Sequence, residues 1–296
     1  MSNFVVGAYA SQPADHEGQQ KYYQMLHEAG WVDGLEVPFP GQFVEDADFL
    51  GELLEGRFTH SVLTPIPGTM VTVWKDASFG LASPNKDGRM RALEFLGSVR
   101  DSVEKMSKKH GHIFDYVAVH SAPTMSCEKD AFLDSLQELC SWDWCGSKLT
   151  IEHCDEKTTS HEPEKGFLHL EDELELAAKI GINVSLNWGR SAVGSRGDVA
   201  PNQHIEQAAR SGLLAGVIFS GASPEATIYG PEWIDGHLPL STDEPASLMT
   251  PDQVSEGARL AGEVAYLGAK CCVPQDASLE TRLAMVKSIF DSTKAD

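Results

Sequence analysis

Apolar residues in this chain gather into eight short runs, FVVGAY, WVDGLEVPF, SVLTPIP, DYVAVHSAP, KLTIEHCD, INVSLNWGR, LAGVIFSG and AKCCVP. Runs this short, rich in Val, Ile and Leu, read as buried strands. Between them apolar positions recur every three or four residues, as one face of a helix requires. Tyr22, Tyr23, Met25, Leu26 and Ala29 do so within residues 19–29, and Met90, Leu93, Leu96, Val99 and Val103 within 89–109. The same spacing predicts helices over 46–54, 129–140, 171–180, 202–211 and 278–290. Gly181 and Gly212 stop two of them, and Thr250-Pro251 followed by Asp252 and Gln253 starts another. Three connections lack the helical period. Residues 68–87, with Trp74, Phe79 and Asn85, read as a long loop, either a pocket wall or a segment pinned by its aromatics. A Gly-, Ser- and Arg-bearing loop follows the sixth run, and residues 222–250 form the longest connection, with Trp233, His237, Asp243 and Glu244.

Strand and helix alternating eight times close most simply into an α/β fold of the (β/α)8 TIM-barrel type, whose active site is built at the C-terminal ends of the strands. Such barrels routinely fill ~250 residues or more as one domain, so residues 1–296 are expected to form a single domain. Several runs give way to a polar residue where that fold puts chemistry: Glu36, His120, Glu152 with His153, and Asn187 with Arg190. An acid inside an apolar strand is costly to bury without a task, which singles out Glu152. With Ile151 facing outward, alternation turns Glu152 inward and leaves His153 under a helix or swung in by a bend. Glu36 and His120 have rival readings as a paired buried carboxylate and a satisfied core histidine. Trp188 reads as a stacking face for a ring or as plain core. Arg190 reads as a two-pronged grip on an anion or as the partner of a nearby carboxylate.

Charge and composition narrow the partners. Twenty-three Lys+Arg against 44 Asp+Glu give a formal charge of -21, which repels nucleic acid and anionic membrane surfaces. The one basic cluster, Lys105, Lys108, Lys109 and His110, fits the C-terminal end of a helix. No apolar stretch approaches the roughly 20 residues that span a bilayer, and no basic leader precedes the first strand, so a cytoplasmic protein is expected. The six cysteines include no C-x-x-C pair and read as reduced structural thiols. No Gly-rich phosphate loop is present, so no nucleotide cofactor is expected.

With the strands in place, VDGLEVPF, VAVHSAP and LTIEHCD together resemble the corresponding segments of the xylose-isomerase-like TIM barrels, sugar and sugar-phosphate isomerases and epimerases. The resemblance spans nearly the whole chain as architecture. It implies that Glu152 stands where many members have a divalent-metal ligand and proton-transfer base. Those members add an acid near strand six, a His near strand seven and a Glu on strand eight. Here strand six offers Asn187, strand seven ends in Phe219, Ser220 and Gly221, and the eighth run has no acid. Either the enzyme works without a metal, or Glu152 and His153 with loop residues such as His237, Asp243 or Glu244 form a different divalent-metal site.

Proton transfer beside a sugar carbonyl needs a carboxylate or imidazole within reach of the carbon. Glu152 is the candidate base, with His120 and Glu36 as acid, relay or hydroxyl binder. Asn187, Trp188, Arg190, His153 and His237 are the candidate substrate-binding residues. The expected activity is an isomerase or epimerase acting on a small carbohydrate. A lyase on an oxidised sugar begins with the same step, and a sugar-binding barrel without catalysis is the alternative of another class. Homodimers are common among such barrels, but no self-complementary surface is legible here.

Overall fold

A computed structural model of the chain describes residues 2–295. Among them, eight strands occur in the order β1 (Asn3–Val6), β2 (Gly34–Pro38), β3 (Ser61–Thr64), β4 (Phe114–Val119), β5 (Lys148–His153), β6 (Asn183–Asn187), β7 (Leu214–Phe219) and β8 (Tyr266–Ala269). They pair in sequence order and close into a barrel. The closure is parallel, with Asn3 opposite Tyr266 and Val6 opposite Ala269. The helices are α1 (His16–Glu28), α2 (Gly41–Glu45), α3 (Ala47–Leu54), α4 (Ile66–Val73), α5 (Lys86–His110), α6 (Lys129–Cys140), α7 (Leu170–Ile180), α8 (Trp188–Ser195), α9 (Ala200–Ser211), α10 (Pro251–Ala261) and α11 (Leu279–Ser292). This is the (β/α)8 barrel that the alternation of apolar runs and helical faces predicts.

By its internal contacts the chain divides into two compact units, residues 1–36 with 185–296, and residues 37–184. In the first, Phe4 meets Phe290 edge-on at 4.8 Å, and Trp31 stacks on Phe290 at the same distance. In the second, Phe39, Phe43, Phe79, Phe95 and Phe114 form a chain of ring contacts at 5.6 to 6.0 Å. Such aromatic pairs add to the area they bury. Among the helices capped by side chains at their N-termini are α5, where Asn85 accepts from Gly88 N at 2.9 Å, and α10, where Thr250 accepts from Gln253 N at 3.1 Å.

Two expected loops are partly helical. Residues 68–87 begin inside α4, because Pro67 lies in a first helical turn, where its missing N–H costs nothing. Gly68 marks close packing: a Cβ there would come within 2.6 Å of the Phe95 ring. Phe79 is buried and Trp74 is exposed. After β6 the chain turns at once into α8, and a Cβ on Gly189 would come 2.4 Å from the Ser220 carbonyl oxygen. The eighth strand is Tyr266–Ala269 and shares only Ala269 with the run AKCCVP expected to form it, because the barrel registers Tyr266–Ala269 against β1 and β7, so Lys270 is the first residue beyond it. All six cysteines are free thiols, and no described helix is long and apolar enough to cross a membrane.

Candidate functional site

In the unit of residues 37–184, the end of β5 divides its side chains between two faces. Glu152 turns toward the neighbouring strands. Its Oε2 accepts from the Thr64 hydroxyl at the end of β3 at 2.8 Å and lies 2.6 Å from Nε2 of His120, the residue after β4. Both members of the His120–Glu152 pair are almost wholly buried, with side chains 1% and 5% exposed. A carboxylate can stay in such a place because donors satisfy it.

His153 points the opposite way, under α7, where its Nδ1 is 2.7 Å from Glu173 Oε2. The other oxygen of Glu173 accepts from the Ser121 hydroxyl at 2.6 Å. Burial pulls His153 down, but the charge and hydrogen bond of Glu173, helped by Glu156 and Asp155, outweigh it and hold the imidazole above its ordinary range. The structure thus brings Glu152 and His120 together and directs His153 to a separate buried ion pair.

In the unit of residues 1–36 and 185–296, Glu36 at β2 pairs with Lys270, its Oε2 lying 2.8 Å from Nζ, with side chains 1% and 0% exposed. The Tyr9 hydroxyl donates to the same oxygen at 3.2 Å. The aliphatic stem of Lys270 runs over Gly7, where a Cβ would come 2.7 to 2.8 Å from its Cβ, Cγ and Cδ. Tyr9 also faces His237, ring centroids 6.2 Å apart. His237 Nδ1 lies 3.1 Å from both Asp235 Oδ1 and Ser220 Oγ, and Asp235 Oδ2 accepts from Arg190 Nε at 2.8 Å. Burial holds His237 below the usual imidazole range; Asp235 opposes this, while Lys270 and Arg190 add to it. Arg190 is therefore the partner of a carboxylate, fully buried.

Asn187 caps α8, accepting from Arg190 N at 3.3 Å, and its Nδ2 is buried without a hydrogen-bond partner. The Trp188 ring lies in the core, its Nε1 donating to Asn202 at 3.1 Å. Four residues of these two clusters escaped the sequence reading: Thr64, Tyr9, Asp235 and Lys270. Lys270 had a usable signal. It is a lone cation in the apolar run AYLGAKCCVP, as costly to bury as the acid in β5.

The metal set implied by the family resemblance does not fit these residues. The ends of β6, β7 and β8 present an amide engaged as a helix cap, a hydroxyl at Ser220 and the ammonium of Lys270, which repels a divalent cation. Among the described residues no group of three or more His, Cys, Asp or Glu stands together as a metal site would require. Asp243 and Glu244 do not rebuild one: Asp243 approaches Ser288 at 3.5 Å, and Glu244 turns on its own loop to accept from Ala246 N at 3.2 Å.

The family described as "Domain of unknown function (DUF4862)" matches residues 5–285. The "Uncharacterized protein STM3670" of Salmonella typhimurium is 32% identical over 268 residues, which cover 86% of this chain and 84% of that protein. Among solved structures, a D-allulose 3-epimerase from Methylomonas sp. in complex with D-allulose is similar with a TM-score of 0.62 at 11% identity, over 99% of this chain and 96% of that one. A xylose isomerase domain protein from Alicyclobacillus acidocaldarius is similar over the full length of both chains, with a TM-score of 0.55 at 15% identity. A xylose isomerase-like TIM barrel/4-hydroxyphenylpyruvate dioxygenase fusion protein matches 99% of this chain with a TM-score of 0.63 at 12% identity, and the chain spans 42% of its length. At these identities the structural likeness is one of fold.

Proposed function

The chain belongs to the DUF4862 family and has the xylose-isomerase-like barrel fold, and from that premise we propose that it is a carbohydrate isomerase or epimerase that moves a proton on a carbon beside a carbonyl. Glu152 is the base in this reading. The observation that carries it is the setting of that carboxylate, buried at a strand end and met on one oxygen by Thr64 and His120. The Thr64 hydroxyl donates to that oxygen and the His120 ring nitrogen stands against it, so the carboxylate is held in place at the strand end, where a base beside a carbonyl carbon is needed. Glu36, the other buried strand-end carboxylate, is charge-paired with Lys270 and is the poorer base.

In the proposed reaction the Glu152 carboxylate takes the proton from the carbon beside the carbonyl, and the electron pair moves onto the carbonyl oxygen. Passage of the hydroxyl proton between the two oxygens and return of the abstracted proton to the former carbonyl carbon gives the isomer. Protonation of the same carbon on the opposite face by a second donor, such as water, gives the epimer. Thr64 and His120 together hold Oε2 of the carboxylate in place.

The test is deuterium wash-in from D2O across a panel of ketoses, aldoses and uronic acids, followed by NMR. Deuterium at the carbon beside the carbonyl, with a rearranged product, supports the reading. A dehydrated product marks a lyase instead, and tight binding without exchange marks a sugar-binding barrel.

A further inference from the structure

We propose that Lys270 is an imine-forming nucleophile, whose ε-amine condenses with the open-chain carbonyl of a sugar while Glu36 carries the proton. This takes only its ligand class from the carbohydrate reading above and nothing from the role of Glu152.

The first ground is energetic. A lysine with its ammonium wholly buried beside an equally buried carboxylate is a costly way to fill space, since apolar residues of similar volume often stabilise as well or better. The second is positional. The backbone of Gly7 is tied to β8 by its N–H to the Ala269 carbonyl oxygen at 2.8 Å, and the absence of a side chain at Gly7 leaves the channel in which the Lys270 stem lies. A nucleophile held this way attacks from a fixed direction, where a free lysine would lose that advantage to its own rotamers.

The third ground is the proton route. Glu36 Oε2 lies 2.8 Å from Nζ as an ion pair not aligned as a hydrogen bond, so transfer needs only a turn of the ammonium, and the Tyr9 hydroxyl on the same oxygen at 3.2 Å keeps the carboxylate oriented. The fourth is the gradation of burial. Lys270 and Glu36 are closed to solvent, while the neighbouring Tyr9 is half-buried, with Nζ 5.6 Å from the centre of its ring.

The chemistry balances without an external reagent. The ammonium gives one proton to Glu36, and the nitrogen lone pair forms a bond to the carbonyl carbon as the π pair moves to oxygen. A proton passes from nitrogen to that oxygen, giving the carbinolamine. Glu36 then returns its proton to the hydroxyl, the C–O bond breaks, and water leaves as the nitrogen lone pair forms the iminium. One ammonium and one carbonyl become one iminium and one water, so Glu36 faces a single positive charge before and after. The pair that looks inert as a salt bridge is therefore also the pair that can hold the covalent product without a change in buried charge.

The experiment is reductive trapping on the full chain, using dihydroxyacetone or glycolaldehyde with sodium cyanoborohydride, then peptide mapping by mass spectrometry. The expected result is one reduced probe per chain on the peptide carrying Lys270, ahead of every other lysine, because Lys270 has a carboxylate beside it to take its proton and a stem fixed in place. Glu36→Gln slows that labelling by about 100-fold, the usual scale of general acid–base assistance. Lys270→Arg, which keeps the charge, abolishes the adduct. Labelling spread over other lysines with Lys270 unmodified overturns the proposal, and so does an adduct that survives in Lys270→Arg. If that variant fails to fold, the wild-type map decides alone. Trapping needs no turnover, so its failure leaves the Glu152 reading intact, and a failure of deuterium exchange leaves this one intact.

Discussion

Glu152 and His120, 32 residues apart in sequence, meet through Oε2 and Nε2 at 2.6 Å, and a third residue, Thr64, places its hydroxyl on the same oxygen at 2.8 Å. One oxygen of the carboxylate is thus fixed by two strands at once. In Thr64→Val the shape stays close but the donor is gone. A hydrogen bond to a charged group contributes about 1.5–3 kcal/mol, so turnover of the proton-transfer reaction is expected to fall about tenfold or more with KM little changed. Steady-state kinetics on the substrate found by deuterium wash-in check this. An unchanged kcat would mean that Thr64 only fills space.

His153 and His237 impose opposite pH dependences on stability. His153 is held above the ordinary value of 6.5, so the folded state keeps its proton longer than the unfolded chain does. Its contribution is full below 6.5 and is lost as pH rises through the raised value. His237 is held below 6.5, and its contribution is present above 6.5 and lost as pH falls through the lowered value. Urea denaturation across that range should show His153→Gln losing the alkaline decline and His237→Gln flattening the acid one. At pH below 6.5, His153→Gln also leaves Glu173 buried without its charge partner, a loss of about 3–5 kcal/mol.

Gly7 is required by a side chain rather than by its own backbone. Its φ of -75° is open to any residue, but a Cβ would press into the Lys270 stem at 2.7 to 2.8 Å. Gly7→Ala is expected to destabilise by about 1–3 kcal/mol, as overpacking does. It should also slow reductive labelling of Lys270, because the stem must leave its channel. Denaturation and peptide mapping on the same preparation separate these effects. A variant as stable as wild type and labelled as fast would show that the stem is not held there.

The barrel was legible because each strand is an apolar run and each main helix an apolar stripe, signals carried by near neighbours in the chain. The strand-end residues Glu36, His120 and Glu152 stood out for the same reason, as polar interruptions of apolar runs. Their partners did not. Asp235 reaches Arg190 across 45 residues because the chain after β7 folds back, with Gly221 and Leu238 bridging through backbone hydrogen bonds, and no local pattern encodes that return. Lys270 was passed over because acids and imidazoles, rather than cations, were sought at strand eight. α4 and α8 were obscured by Pro67, Gly68 and Gly189, residues that mark loops by composition but serve helix starts and close packing here.

The central claim is that Glu152 moves the proton. The measurement that tests it most directly is the rate of deuterium incorporation beside the carbonyl in D2O by Glu152→Gln against wild type, with ligand affinity measured in parallel. The substitution keeps size and shape and removes the basic oxygen. The expected result is a fall in exchange of 100-fold or more, on the scale of about 10²–10⁴ for general base catalysis, with affinity changed little. Exchange at the wild-type rate in Glu152→Gln would contradict the account and direct the search for the base elsewhere.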